Sequence, residues 1–203
     1  MHAVAGTCKL ICLGGSFNPI HFGHLDCAQA AAKALGADLV VLIPSGLPPH
    51  KQTEGTLAPA NDRLEMCRRA IATKAGFAVD DCEIHRPGPS YTILTVRRFK
   101  QRGIDEVIWL IGADMVAGLP NWHEATALMA ESRLVVMSRP GYVIDWARLP
   151  AEFAALRHST VAVPPIDISA SDIRRRVRSR LPIDGLTPPA VCQYIRERKL
   201  YGG

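Results

Sequence analysis

The sequence predicts a doubly wound α/β fold, and three observations support that prediction. Strand-like and helix-like runs alternate along the 203 residues. The strand-like runs are apolar almost throughout, which is typical of parallel strands covered on both faces by helices. Glycine, proline, histidine and charged residues cluster directly after these runs. Because ligands of such folds bind beyond the carboxyl ends of the strands, we expect the functional residues in those following segments.

The elements of the first half each have their own signal. Residues 9–13 (KLICL) form a short apolar strand, and residues 23–36 form an alanine-rich helix that Gly36 is suited to cap. Residues 38–44 (DLVVLIP) are rich in β-branched residues and stop at a proline. Residues 59–74 carry apolar side chains on one helical face, which predicts an amphipathic helix.

The second half continues the alternation and ends in helices. A helix, three strands and two further helices are predicted in that order over 90–103, 106–112, 133–139, 159–164, 169–180 and 187–200. We therefore expect a Rossmann-like doubly wound parallel sheet with helices on both faces. The length fits one domain, with an α/β core over 1–165 and a small helical extension over 166–203.

Composition places the chain in the ordinary globular class. Hydrophobic residues make up 48% of it and charged residues 21%. No apolar run is long enough to span a bilayer, and Lys9 interrupts the apolar N-terminal stretch, which argues against a signal peptide. We expect a cytoplasmic protein with no membrane partner. The net charge of +5 fits either solubility or attraction to nucleic acid or phosphorylated small molecules.

The cysteines are expected to be structural. None of them forms a CxxC pair, so the spacing indicates neither a disulfide framework nor a zinc site. The six residues are Cys8, Cys12, Cys27, Cys67, Cys82 and Cys192.

The segment GGSFNPIHFGH (14–24) has two interpretations. It is a tight turn with incidental histidines, or a ligand loop in which Gly14 and Gly15 let the backbone approach a phosphate at a helix N-terminus. The segment is neither a GxGxxG motif nor a Walker loop. His21 and His24 share a helical face, but a zincin-type pair is four residues apart with an adjacent glutamate, so a metal site is not predicted.

Two further segments place basic side chains beside prolines or at a helix start. PSGLPPHK (44–51) begins the long 44–59 loop and holds His50 and Lys51 behind two prolines; alone, it reads as a solvated basic loop. DISASDIRRR (167–176) contains a capping box that predicts a helix start near residue 170. An arginine on the second turn beside that helix start suits a phosphate, whereas Arg175, Arg176, Arg178 and Arg180 are expected on a solvated face.

The segment GADMVAGLPNWHEA (112–125) follows a strand and leaves its key residues ambiguous. Trp122 suits either the core or a stack on a flat ring. Asp114 suits either a helix cap or a ribose hydroxyl.

Taken together, these segments resemble a known family. GGSFNPIHFGHL resembles the HxGH motif of the nucleotidyltransferase superfamily, and ISASDIRRRV resembles its ISxTxxR signature, with Ser171 at the threonine position. The finer similarity is to bacterial nicotinate-nucleotide adenylyltransferases and covers nearly the whole chain. The blocks similar to that family are PSGLPPHK, RPGPSYT, LIGADMVAGLPNWHEA, SRPGY and VCQYIRERKLY.

This resemblance implies a reaction and a set of site residues. ATP and nicotinate mononucleotide would give nicotinate adenine dinucleotide and pyrophosphate, in NAD biosynthesis. The implied catalytic residues are His21, His24, Lys51 and Arg174. The implied ATP-binding residues are Gly14, Gly15, Ser16, Phe17, His50 and Ser169. Tyr91, Thr92, Asp114 and Trp122 are implied to line the mononucleotide pocket, with Trp122 stacked on the pyridine ring. Mg²⁺ is expected to travel with ATP, and no metal site of the protein's own is predicted.

Two departures from the family pattern and three alternatives stay open. Asn18 stands where the family commonly has aspartate, and Leu94 stands where a polar residue is common. The acceptor could instead be nicotinamide mononucleotide or phosphopantetheine. From another class, the arginine-rich helix could serve a nucleic-acid-binding module, although only the charge favours it. The oligomeric state is left open.

Overall fold

A computed structural model describes residues 9–49, 57–138 and 141–202. Its centre is a six-stranded parallel sheet with strand order β3-β2-β1-β4-β5-β6. The strands are β1 Leu10–Gly15, β2 Leu39–Pro44, β3 Phe77–Val79, β4 Ile108–Gly112, β5 Arg133–Ser138 and β6 Thr160–Ala162. The order reverses between β1 and β4, which is the point where doubly wound sheets bind ligands.

The helices flank this sheet on both faces. They are α1 Phe22–Leu35, α2 Ala60–Ile71, α3 Cys82–His85, α4 Thr92–Gln101, α5 Ala125–Glu131, α6 Ala151–Ala154, α7 Ala170–Arg178 and α8 Pro189–Glu197. Short 3₁₀ segments occupy Ala113–Asn121, Trp146–Arg148, Ala155–His158 and Leu200–Gly202. None of the helices in the described ranges is long and apolar enough to cross a membrane.

The predicted fold class is confirmed, as are all five predicted strands and all five predicted helices. Strand β3 was missed because it is three half-buried residues at the sheet edge, too short for a hydrophobic period. Helices α3, α5 and α6 were missed for the same reason of length. The 3₁₀ segment after β4 was not predicted because it contains Pro120, and proline disfavours the interior of a helix. The division into a core and a helical extension at residue 165 stays a prediction.

Strand side chains alternate between two cores. Ile11 and Leu13 of β1 join the core that packs against α1, α2, α7 and α8. Cys12 between them joins the opposite core, which includes side chains of α4 and α5. The strands β1, β2, β4 and β5 therefore bury both faces, which explains why their sequences are mostly apolar rather than alternating.

The cysteines follow the structural interpretation wherever the structure describes them. Cys12, Cys27, Cys67, Cys82 and Cys192 are buried and carry thiols rather than disulfides. Burial raises the pKa of Cys82 to about 12 and raises the pKa of Cys67 further. The Cys67 and Cys82 thiols therefore stay protonated at neutral pH. Cys8 lies outside the described residues.

Candidate functional site

A cavity of about 520 Å³ opens at the carboxyl ends of β1 and β4, where the strand order reverses. Its lining joins the glycine loop after β1, the start of the loop after β2, the segment before α4 and the 3₁₀ segment after β4. Seven of the predicted site residues line it: Gly14, Gly15, Ser16, His24, Tyr91, Thr92 and Trp122. The topology thus gathers residues that are 108 positions apart into one site, as the sheet rule predicts.

The two glycines at the end of β1 make room for aromatic rings of the protein itself. A Cβ on Gly14 would overlap the indole of Trp109, and a Cβ on Gly15 would lie 3.2 Å from the ring of Phe17. Phe17 is buried and adopts φ 45°, a left-handed conformation that a bulky residue holds only under strain. The sequence predicted that these glycines let a ligand approach the backbone, and internal packing requires them as well.

The two histidines lie at the start of α1 and contact each other. Their rings stack at 3.7 Å between centroids, and the His21 backbone N–H donates to His24 Nδ1 at 3.3 Å. A neutral His24 ring therefore carries its proton on Nε2, which makes that nitrogen the donor. His24 lines the cavity, whereas the His21 side chain is buried behind it. Phe17 packs edge-on against His24 at 5.1 Å.

Gly23 lets the two histidine rings stack. A Cβ at this position would lie 2.9 Å from Nδ1 of His21 and 3.0 Å from its Cε1. A side chain there would push the His21 ring out of place. The glycine of the HxGH-like motif is therefore explained by packing within the motif.

Helix α7 brings its arginine to the same loop. Ser169 caps α7 by accepting from the Asp172 N–H at 3.1 Å, so the predicted helix start is confirmed. Arg174 is buried and donates from Nη1 to the Asn18 carbonyl at 2.9 Å and from Nη2 to Ser171 Oγ at 3.3 Å. Of the other arginines, Arg175, Arg178 and Arg180 are exposed and Arg176 is half-buried, as the solvated-face prediction requires.

Asn18 ties the long loop to the site. Its side-chain Oδ1 accepts from the Ala58 backbone N–H at 3.0 Å, and the residue is buried. An amide performs this role as well as a carboxylate does and avoids burying a charge. Leu94, the other departure, is half-buried and packs against the core on its side of the sheet.

An aromatic wall forms the far side of the cavity. Trp122 is half-buried, and Tyr91 stacks on His123 at 4.1 Å between centroids with an interplanar angle of 19°. All three line the cavity, and Trp109 of β4 lines it as well. Sequence analysis did not single out His123 or Trp109. Trp109 is the second residue of β4, so the rule that ligands bind beyond strand ends does not point to it.

A buried carboxyl also lines the cavity and was missed. Glu83 of α3 is 4% exposed and accepts from Thr95 Oγ1 at 2.6 Å. Arg86 donates to Thr95 Oγ1 at 3.1 Å and lies 4.0 Å from the Glu83 carboxylate. Burial raises the pKa of Glu83 above its ordinary value of 4.5, against the hydrogen bond from Thr95, which lowers it.

The raised pKa makes a prediction for Glu83→Gln. Because the folded protein binds this proton more tightly than the unfolded chain does, ionising Glu83 costs folding free energy. That cost is absent below the unfolded pKa and grows as pH rises through the folded pKa. In urea titrations, we expect the unfolding free energy of the variant to increase relative to that of the wild type as the pH rises above the ordinary glutamate pKa of 4.5. The exposed Glu152→Gln is the control; a difference that stays flat, or moves the other way, would contradict the assignment.

Besides His21, four predicted site residues that the structure describes do not line the cavity. Phe17 and Arg174 are buried beside it, Ser169 caps α7, and Asp114 is exposed with its carboxylate turned back against Gly112. The roles predicted for these residues stay predictions. His50 and Lys51 lie outside the described residues.

The described part of the chain holds no group of three or more His, Cys, Asp or Glu residues that could bind a metal ion. A resident metal cage is therefore not built from those residues. A cation that arrives already coordinated by a ligand's phosphates and by water needs no such cage.

Comparison with known proteins identifies relatives over nearly the full length. Residues 12–176 match the family model described as cytidylyltransferase-like. A protein from Roseiflexus sp. (strain RS-1) is 42% identical over 191 residues, covering 93% of this chain and 96% of that protein. One from Herpetosiphon aurantiacus is 39% identical over 192 residues with the same coverage. Both are named "Probable nicotinate-nucleotide adenylyltransferase".

Solved structures share the fold. The Plasmodium falciparum nicotinic acid mononucleotide adenylyltransferase complexed with NaAD superposes with a TM-score of 0.73 at 18% identity, covering 96% of this chain and 98% of that one. The same enzyme complexed with APC gives a TM-score of 0.71. At this identity the likeness establishes the architecture.

Proposed function

This chain belongs to the nicotinate-nucleotide adenylyltransferases of the cytidylyltransferase-like family, and from that premise we propose that its cavity joins ATP to nicotinate mononucleotide. The products are nicotinate adenine dinucleotide and pyrophosphate, so the enzyme acts in NAD biosynthesis. One observation carries the proposal: a single cavity connects a histidine-bearing glycine loop to an aromatic wall. The loop suits a triphosphate and the wall suits a pyridine ring.

The chemistry requires positioning and charge stabilisation. A 5′-phosphate oxygen of the mononucleotide attacks the α-phosphorus of ATP; the new P–O bond forms as the bond to the α,β-bridging oxygen breaks and pyrophosphate leaves. The attacking phosphate is largely dianionic at neutral pH because its second pKa is about 6, so no general base is needed. The enzyme must hold two anions in line and stabilise the departing charge.

The triphosphate end is assigned to β1, α1 and α7. The N-terminus of α1 directs the positive end of its dipole to the end of β1. His24 donates from Nε2 to the phosphate under attack, and His21 orients its ring by stacking and by the N–H bond to Nδ1. Arg174 supplies positive charge from behind the loop that it holds through the Asn18 carbonyl. Lys51 and His50 are proposed to contact the phosphates, on the family resemblance alone.

The mononucleotide end is assigned to the aromatic wall. Trp122 stacks on the pyridine ring, while Tyr91 and Thr92 flank it at the start of α4. The N-terminal N–H groups of α4 suit the ring carboxylate, which an amide-bearing ring lacks. Asp114 is assigned to the ribose. These contacts favour nicotinate over nicotinamide mononucleotide.

Mg²⁺ is proposed to enter with ATP. Phosphate oxygens and water are its ligands in this proposal, which fits a described site without a carboxylate cage. When bound, it neutralises charge on the phosphates. The cytoplasmic location also stays a prediction, as does any oligomer.

The test is pyrophosphate release by purified protein with MgATP and one of three acceptors: nicotinate mononucleotide, nicotinamide mononucleotide or phosphopantetheine. We expect release with nicotinate mononucleotide at a kcat/KM well above that with the other two. Equal use of both pyridine mononucleotides would remove the acid specificity. Release with phosphopantetheine alone, or with none of the three, would overturn the proposal.

Trp122→Ala gives a prediction for the aromatic wall. Loss of one ring stack should raise the KM for nicotinate mononucleotide about tenfold, since base stacking contributes roughly 1–3 kcal/mol. The KM for ATP should stay nearly constant. Trp146→Ala, a matched substitution in the 3₁₀ segment Trp146–Arg148 away from the cavity lining, is the control. Equal changes in the two KM values would argue against a stack on the acceptor.

A further inference from the structure

Arg63 is a buried cation that the mechanism above does not use. It lies on the first turn of α2, is 1% exposed and is the largest fully buried side chain among the described residues. Arginine is almost never buried to this degree without compensating partners. Its surroundings therefore indicate what it does.

The guanidinium of Arg63 joins the loop after β1 to both ends of the long loop between β2 and α2. Nε donates to the Ala58 carbonyl at 3.0 Å, Nη1 donates to the Ser16 carbonyl at 2.8 Å, and Nη2 donates to the Gly46 carbonyl at 2.9 Å. Ser16 follows β1, whereas Gly46 and Ala58 lie at the two ends of the long loop after β2. A planar fork makes three such bonds in fixed directions, which the single ammonium of lysine does not.

These bonds also fix the direction of the glycine loop. A peptide unit is planar and trans, so its C=O and N–H point to opposite sides. Because the Ser16 carbonyl points at Arg63, the Phe17 N–H points away from Arg63 and α2. Ser16 lines the cavity. Arg63 thereby sets the backbone orientation at the point where the loop enters the strained conformation of Phe17.

The charge of Arg63 has no carboxylate partner in the described structure. Its three acceptors are neutral carbonyls, and none of the ion pairs among the described residues includes it. The neighbouring Asp62 turns instead to Tyr194 Oη at 2.7 Å and Arg198 Nε at 3.3 Å. Burial lowers the pKa of Arg63, as expected for a desolvated cation. Carbonyl dipoles compensate this charge only partly, and a bound polyanion would complete the compensation.

We propose that Arg63 is a positioning residue for the triphosphate: its fork locks the loops after β1 and β2 together and leaves a net positive charge behind the glycine loop. The inference rests on the proposed function for the identity of the anion. The loop after β2 also contacts the acceptor side, because Leu47 follows the Arg63-bound Gly46 and its carbonyl accepts from the Ser90 N–H at 2.9 Å. The bond to the Ser16 carbonyl acts at the triphosphate end, so Arg63 affects ATP and pyrophosphate more strongly than the mononucleotide.

The test compares Arg63→Lys with Arg68→Lys. Arg68 lies on the same helix, but it is exposed and pairs with Asp81 at 2.9 Å. We expect R63K to raise the KM for ATP about tenfold, because two charge-assisted bonds lose their geometry, and to raise the KM for nicotinate mononucleotide several-fold less than that. R68K should change neither. Calorimetry with magnesium pyrophosphate should show the same weakening in R63K, at a temperature where circular dichroism reports the variant folded.

Each remaining outcome is decisive. A lower melting temperature with both KM values unchanged would reduce Arg63 to a structural residue and overturn the proposal. If the wild type releases no pyrophosphate, the proposed function fails, but equal pyrophosphate affinity of wild type and R63K is still what would overturn this inference. If R63K does not fold, the test is instead the NMR resonance of the Arg63 Nε–H group in the wild-type protein. That resonance should shift on adding magnesium pyrophosphate while the Arg68 resonance stays in place; no shift counts against the proposal.

Discussion

His24→Ala is expected to lower kcat by about 10²–10³, the effect of removing one donor from an oxyanion site. Its ring lines the cavity, and its Nδ1 is occupied by the His21 backbone N–H, so Nε2 is the donor for charge that develops on the phosphate. His21→Ala is expected to lower kcat by a factor in the same range. Loss of the stacked ring at 3.7 Å frees His24 to rotate, so the donor is present but misdirected.

Pyrophosphate release at saturating MgATP and nicotinate mononucleotide measures both variants. His85→Ala is the control, since His85 is an exposed histidine whose partner is Asp81. In the double variant, the decrease in kcat should be smaller than the product of the two single decreases, because the two histidines act as one unit. A change of less than a few-fold at both positions would refute the role assigned to this pair.

Gly46→Ala is expected to destabilise the protein by about 2–3 kcal/mol. A Cβ at Gly46 would overlap the backbone carbonyl of Glu83, and a backbone atom cannot turn away as a flexible side chain can. Helix α3 must therefore move off the loop after β2. Since Glu83 and Ser90 line the cavity, the KM for nicotinate mononucleotide should rise as well.

Urea unfolding of Gly46→Ala against Gly118→Ala measures the clash. Gly118 has no neighbouring atom within 4 Å of an added Cβ and keeps an ordinary φ, so the same methyl group meets open space there. We expect Gly118→Ala to leave the unfolding free energy nearly unchanged. Equal stability of the two variants would show that the contact between Gly46 and α3 relaxes at no cost.

The sequence by itself determined the fold class and the family. Parallel strands buried on both faces must be apolar throughout. The strands β1, β2, β4 and β5 could therefore be predicted from apolar runs in the sequence. The start of α7 could be predicted because a capping box is a contact between residues three apart, which leaves a local pattern in the sequence. The rule that ligands bind beyond the strand ends then pointed to the segments around Gly14 and Trp122, which both line the cavity.

The tertiary structure decided which side chains support that site. Arg63 bonds residues that lie 47, 17 and 5 positions away, and such long-range contacts leave no local pattern. Glu83 became a cavity residue only because the four-residue helix α3 folds against the loop after β2. The sequence placed the glycines in a loop after the strand, whereas they are the last residues of β1, and Gly14 makes room for a ring on β4, a strand that begins nearly one hundred residues later. Local pattern encodes periodicity and caps, whereas burial of a charge or a ring depends on what the folded chain brings beside it.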